Sequence, residues 1–300
     1  MSKVRPPRIA ISLPRLIVAL VVLVGVLGAW WAVAHNNSGA ADRQAKTDQQ
    51  SEAKQSAKKV SWNYNDQTGQ WMASSTPPKC PDPMFAQSPF DTATATSVLY
   101  PGQYRGRNYK PHGGIAYDTS TTGNAQVVVP MDAAVNSLVR YIEADELQYK
   151  VSFVTECGIA FYFDHLFTLS PEFMKIANAT PEPKVDDTRS QPFSTPYPVK
   201  AGDVIATTIG HPATQNYAFD FGVLDYRQPN EISKNTAWDA IHQTFKSSEW
   251  YGVCWFDLLP SADAKRVKAL PSRDGQSGVR SDYCANPKGN TMGVNGGNPV

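Results

Sequence analysis

A series of short apolar-rich runs between Phe85 and Tyr226 leaves this chain little choice but a β-sheet fold. The runs GIAYD, AQVVVP, AVNSLVRYIE, QYKVSFVT, GIAFYFDHLF, DVIATTIG and YAFDFGVLDY follow one another with turn residues between them. They are rich in Val, Ile, Phe and Tyr. Many alternate apolar and polar residues, the period of a strand with one buried face. Thr122-Gly123-Asn124 and Glu156-Cys157-Gly158 carry the residue types of hairpin turns. Closely spaced strands without helical patterns between them predict an all-β sandwich or barrel. The proline-rich, polar stretch from Asn178 to Pro198 predicts a long loop, an insertion or a lid.

A second constraint lies ahead of this region. Leu16 to Ala34 read LIVALVVLVGVLGAWWAVA, with no charged side chain. As a helix the run spans roughly 28 Å, close to the ~30 Å hydrocarbon core of a bilayer. Lys3, Arg5, Arg8 and Arg15 precede it, and the first acidic residue beyond it is Asp42. Positive charge stays inside, so the N-terminus is expected in the cytoplasm and the rest of the chain outside it. Trp30 and Trp31 suit the outer interface. A signal peptide cut after Ala32-Val33-Ala34 is the rival reading. The length of the run and the two Trp before the cut favour an uncleaved anchor. A buried soluble helix would need a polar stripe, which the run lacks.

Residues 35–59 are polar and bury too little to fold alone, so they read as a stalk. From Val60, Trp, Tyr and Pro return in a segment that predicts a hairpin or a wrapping segment leading into the main domain. After Arg227, Asn235 to Glu249 predicts a helix with Trp238, Ile241 and Phe245 on one face, and ADAKRVKAL predicts another. The chain then divides into a cytoplasmic N-terminus (1–15), a transmembrane anchor (16–34), the stalk (35–59), a β domain (60–227), a C-terminal extension with short helices (228–284) and a disordered tail (285–300). The net charge of +1 carries no basic footprint for nucleic acid. Cys80, Cys157, Cys254 and Cys284 form an even set in an exported region, where disulfides are the default. None falls in a CxxC spacing. Of the three possible pairings, Cys254–Cys284 with Cys80–Cys157 is favoured.

Three segments carry a family resemblance: Tyr109-Lys-Pro-His-Gly-Gly-Ile-Ala-Tyr-Asp118, Tyr162-Phe-Asp-His-Leu166, and Val199-Lys-Ala-Gly-Asp-Val-Ile-Ala-Thr-Thr-Ile-Gly210 followed by Phe219-Asp-Phe-Gly-Val223. In order and spacing they resemble the lysostaphin-type (LytM-like) zinc peptidases of peptidoglycan, whose β fold is the duplicated hybrid motif. The resemblance covers residues 109–226. It implies a first zinc ligand at His112, a catalytic helper at His165 in the Y-x-H-L position, and a last ligand at Asp220 where the family has histidine. It also marks two losses. The family's ligand Asp four residues after His112 is Ala116 here, and the first His of its H-x-H is Ala218. Asp118 keeps the strand parity of Ala116 and is the substitute carboxylate.

A set of His112, Asp118 and Asp220 is poorer for zinc than two histidines and a carboxylate. The expectation is therefore a pseudoenzyme: a degenerate peptidase-like domain at the cell envelope, binding peptidoglycan or an envelope protein, with no cofactor. The alternative is a divergent zinc endopeptidase acting on peptidoglycan peptides through those ligands and His165. Plainer readings stand beside these. His112 ends a loop. His165 shares strand parity with Phe163 and Phe167 and reads equally well as a buried structural histidine. Asp220 lies between two phenylalanines, on the opposite strand face. His211, in an Ile-Gly-His-Pro turn, reads as surface, and His242 as structural.

Overall fold

Where apolar and polar residues alternate, the chain pairs into strands. The computed structural model describes residues 59–118 and 125–285. The expected anchor, nearly all of the stalk, the tail after residue 285 and the turn at Thr122-Gly123-Asn124 lie outside the described residues. Among the described residues, no helix is long and apolar enough to cross a membrane.

The wrapping segment is a hairpin of β1 (Trp62–Asn65) and β2 (Gln70–Ala73). There follow β3 (Ser97–Leu99), a small hairpin of β4 (Gln103–Arg105) and β5 (Asn108–Lys110), then β6 (Gly113–Ala116) and β7 (Val127–Val128). Three long strands come next: β8 (Ala133–Glu143), β9 (Glu146–Val154) and β10 (Ile159–Leu169). Helix α1 (Pro171–Asn178), β11 (Lys184–Val185), β12 (Tyr197–Val199), β13 (Val204–Ile209) and β14 (Ala218–Asp225) complete the β region.

The main sheet runs β11-β8-β9-β10-β14-β6-β3, with β12 also on β8 and β13 joining β10 to β7. All its pairings are antiparallel except β11 on β8. Phe153, Phe161, Phe163, Phe219, Phe221, Val151, Ile115 and Ile205 enter one buried cluster. Strands from both ends of the sheet supply it, so the sheet curls around a single core. Phe153 stacks on Phe161 at 4.7 Å and Phe163 on Phe221 at 4.8 Å between ring centroids. Each such ring contributes about 1.5–3 kcal/mol by leaving water.

Helix α1 interrupts the all-β expectation. Its start signal is local: Ser170 caps it by accepting from Phe173 N, Pro171 opens the first turn, and Glu172 suits the N-terminal dipole. Phe173 and Ala177 are its buried residues. The single helix expected from Asn235 to Glu249 is two short ones, α2 (Thr236–Ile241) and α3 (Lys246–Glu249). Trp238 is fully buried, while Ile241 and Phe245 are exposed. The break follows from His242, which stacks on Trp238 at 3.9 Å and bonds Glu249 through Nδ1 at 2.6 Å. Gln243 meanwhile takes the Asp239 carbonyl. The second expected helix is α4 (Ser261–Ala269).

The C-terminal region is not an appendage. Trp255, Phe256, Leu259 and Val267 belong to the same buried cluster as the strand phenylalanines. Disulfides Cys80–Cys157 and Cys254–Cys284 close it. Disulfides form and persist in oxidising compartments, and two of them are consistent with an extracytoplasmic chain.

Candidate functional site

One face of β10 and β14 points into the phenylalanine core. The other carries Ala160, Tyr162 and Asp164 on β10, opposite Leu224, Gly222 and Asp220 on β14. One end of this face is covered. Ala160 and Leu224 pack with Tyr251, Tyr64, Trp71, Tyr226 and Trp250, and Trp71 stacks on Tyr226 at 3.7 Å. Tyr162 lies over Gly222, where an added Cβ would come within 2.4 Å of the ring. Beyond Tyr162 the face opens into a cluster of ionisable groups.

Strand parity alone puts His165 on the core side with Phe163. A β-bulge reverses this. Phe163 pairs with Val151 of β9 but Leu166 pairs with Tyr149, leaving one extra residue on β10. His165 takes it up with φ of 60°, a left-handed backbone uncommon for a non-glycine residue. Leu166 then returns to the core at 0% exposure, and Asp164 and His165 both reach the open face. At the same point β10 changes neighbour, pairing with β14 up to Asp164 and with β13 from Leu166.

Asp220 sits between two imidazoles. His112 Nε2 is 2.9 Å and His165 Nε2 3.6 Å from its Oδ2. His112 is held at Nδ1 by the Tyr162 hydroxyl at 2.8 Å, and Arg105 donates to its backbone oxygen at 3.1 Å. Burial pushes the Tyr162 hydroxyl well above its usual pKa, so it keeps its proton. For Asp220, burial favours the neutral acid, but the charges and hydrogen bonds of His112 and His165 win and hold its pKa well below the usual range. For His165, burial opposes charging, yet hydrogen bonds to Asp220 and Glu143 and the charge of Asp164 raise its pKa to about 11.

Of the residues singled out from sequence, the structure brings His112, His165 and Asp220 together. Asp118 does not join them. Asp220 pairs with Gly114 of β6, whereas Asp118 lies beyond that strand's end at Ala116, and among the described residues no cluster of three ligand-type side chains includes it. Same parity is not the same place. The two alanines standing where the family pattern has Asp and His, Ala116 and Ala218, pair directly with each other. Among the described residues, one set of three ligand-type side chains has all its ligand atoms within 4.8 Å: Glu143, His165 and His211. The residues present therefore do not fit a zinc ion in the family's arrangement.

His211 is the residue sequence reasoning placed wrongly. It is only 7% exposed and faces His165. Gly210 delivers it: the Gly210 N–H bonds the His165 carbonyl at 2.7 Å, and His211 exchanges backbone hydrogen bonds with Asn216. Gly210 has φ of 74°, and a Cβ there would lie 2.1 Å from the Asn216 oxygen. That glycine was the available signal, since its left-handed backbone turns the chain so that His211 pairs back with Asn216 between β13 and β14. Gly210→Ala is expected to cost about 2 kcal/mol or more, measured by urea unfolding of the purified chain; an unchanged midpoint would contradict the turn.

The β8–β9 hairpin brings the remaining carboxylates. Ala144 and Asp145 both have positive φ, as a two-residue turn requires, and set Glu143 directly opposite Glu146. Tyr141, two residues earlier, donates to Asp164 Oδ1 at 2.6 Å and lies 3.2 Å from His165 Nδ1. Lys150 is 3.7 Å from Asp164 Oδ2. His242 is buried and paired with Glu249, in a structural role.

No family model matches the chain, and no curated protein sequence matches it.

Proposed function

We propose that this chain is a membrane-tethered, extracytoplasmic binding domain. In this reading its β domain derives from a lysostaphin-type peptidase fold and holds peptidoglycan, or a protein of the envelope, without cutting it. The observation that carries the reading is the Ala116–Ala218 pair. A hydrolytic zinc site of that family needs a carboxylate ligand and a proton-handling histidine at those positions, together with an open place for water. Two methyl groups meet there instead. Asp220, at the remaining ligand position, is already engaged by His112 and His165.

The apolar run Leu16 to Ala34 supplies the tether and the polar stalk supplies reach.

A divergent zinc endopeptidase is the second reading, favoured by the convergence of His112, His165 and Asp220 on one open face. It needs a third ligand, and Asp118, beyond the end of β6, joins no ligand cluster among the described residues. Full-length protein purified in detergent and mixed with purified cell-wall sacculi tests both. Co-sedimentation with intact sacculi, unchanged by zinc, is the expected result. Release of soluble fragments that zinc restores and EDTA abolishes would establish the endopeptidase in its place.

A further inference from the structure

The geometry points to a divalent transition-metal site of the zinc class formed by Glu143, His165 and His211, displaced from the family's ligand positions toward the β8–β9 hairpin. The three ligand atoms form a nearly equilateral triangle. His165 Nδ1 is 3.2 Å from Glu143 Oε2 and 3.3 Å from His211 Nε2, and the third edge, His211 Nε2 to Glu143 Oε2, is 3.7 Å. A tetrahedral ion with bonds of ~2.1 Å requires ligand–ligand edges of about 3.4 Å. One ion above this triangle would reach all three atoms with little movement and keep a fourth position open.

Each imidazole is also backed by a carboxylate at its other nitrogen. Asp220 Oδ2 lies behind His165 Nε2 at 3.6 Å, and Glu146 Oε2 behind His211 Nδ1 at 3.5 Å. Histidine ligands in metal sites are oriented this way, with the distal N–H aimed at a carboxylate. His211 Nδ1 and Glu146 Oε2 are both buried and have no hydrogen-bond partner. Metal on Nε2 leaves the proton on Nδ1, which gives this pair the donor and acceptor they lack.

Two further features fit a cation. Like charges directly opposite on paired strands destabilise a hairpin, and Glu143 faces Glu146 with the His211 ring between them. The strained left-handed backbone of His165 is what aims Nδ1 at the triangle, and such strain concentrates at ligand sites. Two imidazoles and a carboxylate suit zinc, cobalt, nickel or iron and disfavour magnesium and calcium. The Tyr141 hydroxyl lies 3.2 Å from His165 Nδ1, beside the triangle.

The test uses full-length protein in detergent, stripped with EDTA, dialysed, and titrated with Co2+ and then Zn2+. The expected result is saturable uptake of a single Co2+, with visible absorption that one equivalent of Zn2+ displaces. His211→Gln, Glu143→Gln and Glu146→Gln should each weaken binding roughly tenfold or more, and more than His112→Ala, which leaves the three ligands and the carboxylates behind them in place. Circular dichroism of the stripped variants checks that they fold. Absence of uptake overturns the site. So does uptake lost in His112→Ala but kept in folded His211→Gln. The inference does not depend on the proposed function: failure to take up Co2+ overturns the site alone, and sacculus hydrolysis overturns the binding reading alone.

Discussion

Replacing Cys80 and Cys157 together by alanine should cost this domain about 4 kcal/mol, the largest loss expected from any pair of side chains here. The bond closes a sequence separation of 77 residues, against 30 for Cys254–Cys284. In the chain-entropy description, a loop of the longer size contributes about 4–5 kcal/mol and the shorter one less than 1 kcal/mol below that. Local structure adds to the difference. Between Ala73 and Ser97 the chain forms no strand or helix. That stretch is fixed to the domain by Cys80 at one end, by Phe85 and Phe90 in the core at 0% and 4% exposure, and by hydrogen bonds such as Ala86 N–H to the Pro130 oxygen and the Tyr117 hydroxyl to the Asp91 oxygen. Cys157 occupies the β9–β10 turn and is itself in the buried cluster. Without the bond the segment detaches more easily, and both phenylalanines leave the core with it. Urea unfolding of the oxidised chain and the Cys80→Ala/Cys157→Ala variant, followed by Trp fluorescence, measures this. A loss below about 1 kcal/mol, or a larger loss for the Cys254/Cys284 pair, would contradict the account.

The parts of this structure legible in the sequence are those set by period and composition. Alternation in AVNSLVRYIE, QYKVSFVT and YAFDFGVLDY places β8, β9 and β14, because one buried face forces every second residue to be apolar. The hairpin at Cys157-Gly158 and the favoured disulfide pairing are likewise as expected. Breaks in period are not legible. The extra residue at His165 is hidden in the apolar pattern, because Phe167 continues the parity of Phe163 while Leu166 is the residue that returns to the core. Parity alone therefore puts that side chain in the core, while the motif that places it at the site with His112 and Asp220 agrees with the structure. Asp118 shows the opposite failure: its parity is right, but parity carries no distance along the strand. Helix α1 is too short for a periodic signal and shows only through its Ser-Pro-Glu start. His211 depended on a turn geometry that Gly210 permits and nothing else in the local sequence announces.

The chemistry of the open face predicts how stability should follow pH. Asp220→Asn removes the carboxylate shared by His112 and His165, leaving two imidazoles without their common partner. Breaking a largely buried pair in this way costs on the order of 3 kcal/mol. The two titrations describe one coupling and are not to be added. Asp220 has its pKa depressed from 3.8, so its contribution is in place above that value and is lost only as pH falls through the lower folded value. His165 has its pKa raised from 6.5 to about 11, so its contribution is complete below 6.5 and is lost as pH rises toward 11. The window in which both act runs from about pH 4 to pH 6.5, with a gradual decline on the alkaline side. In EDTA, which keeps any cation off the face, the gap in stability between wild type and Asp220→Asn should be widest near pH 5–6 and narrow steadily toward pH 10. Glu143, whose pKa is lowered chiefly by its hydrogen bond from His165, remains in the variant. His165 therefore keeps part of its upward shift, and the alkaline decline of the variant is shallower. Urea midpoints at half-unit steps of pH resolve the trend. A gap that is constant with pH, or one that widens above pH 8, would mean that Asp220 is held by packing and not by the imidazoles that flank it.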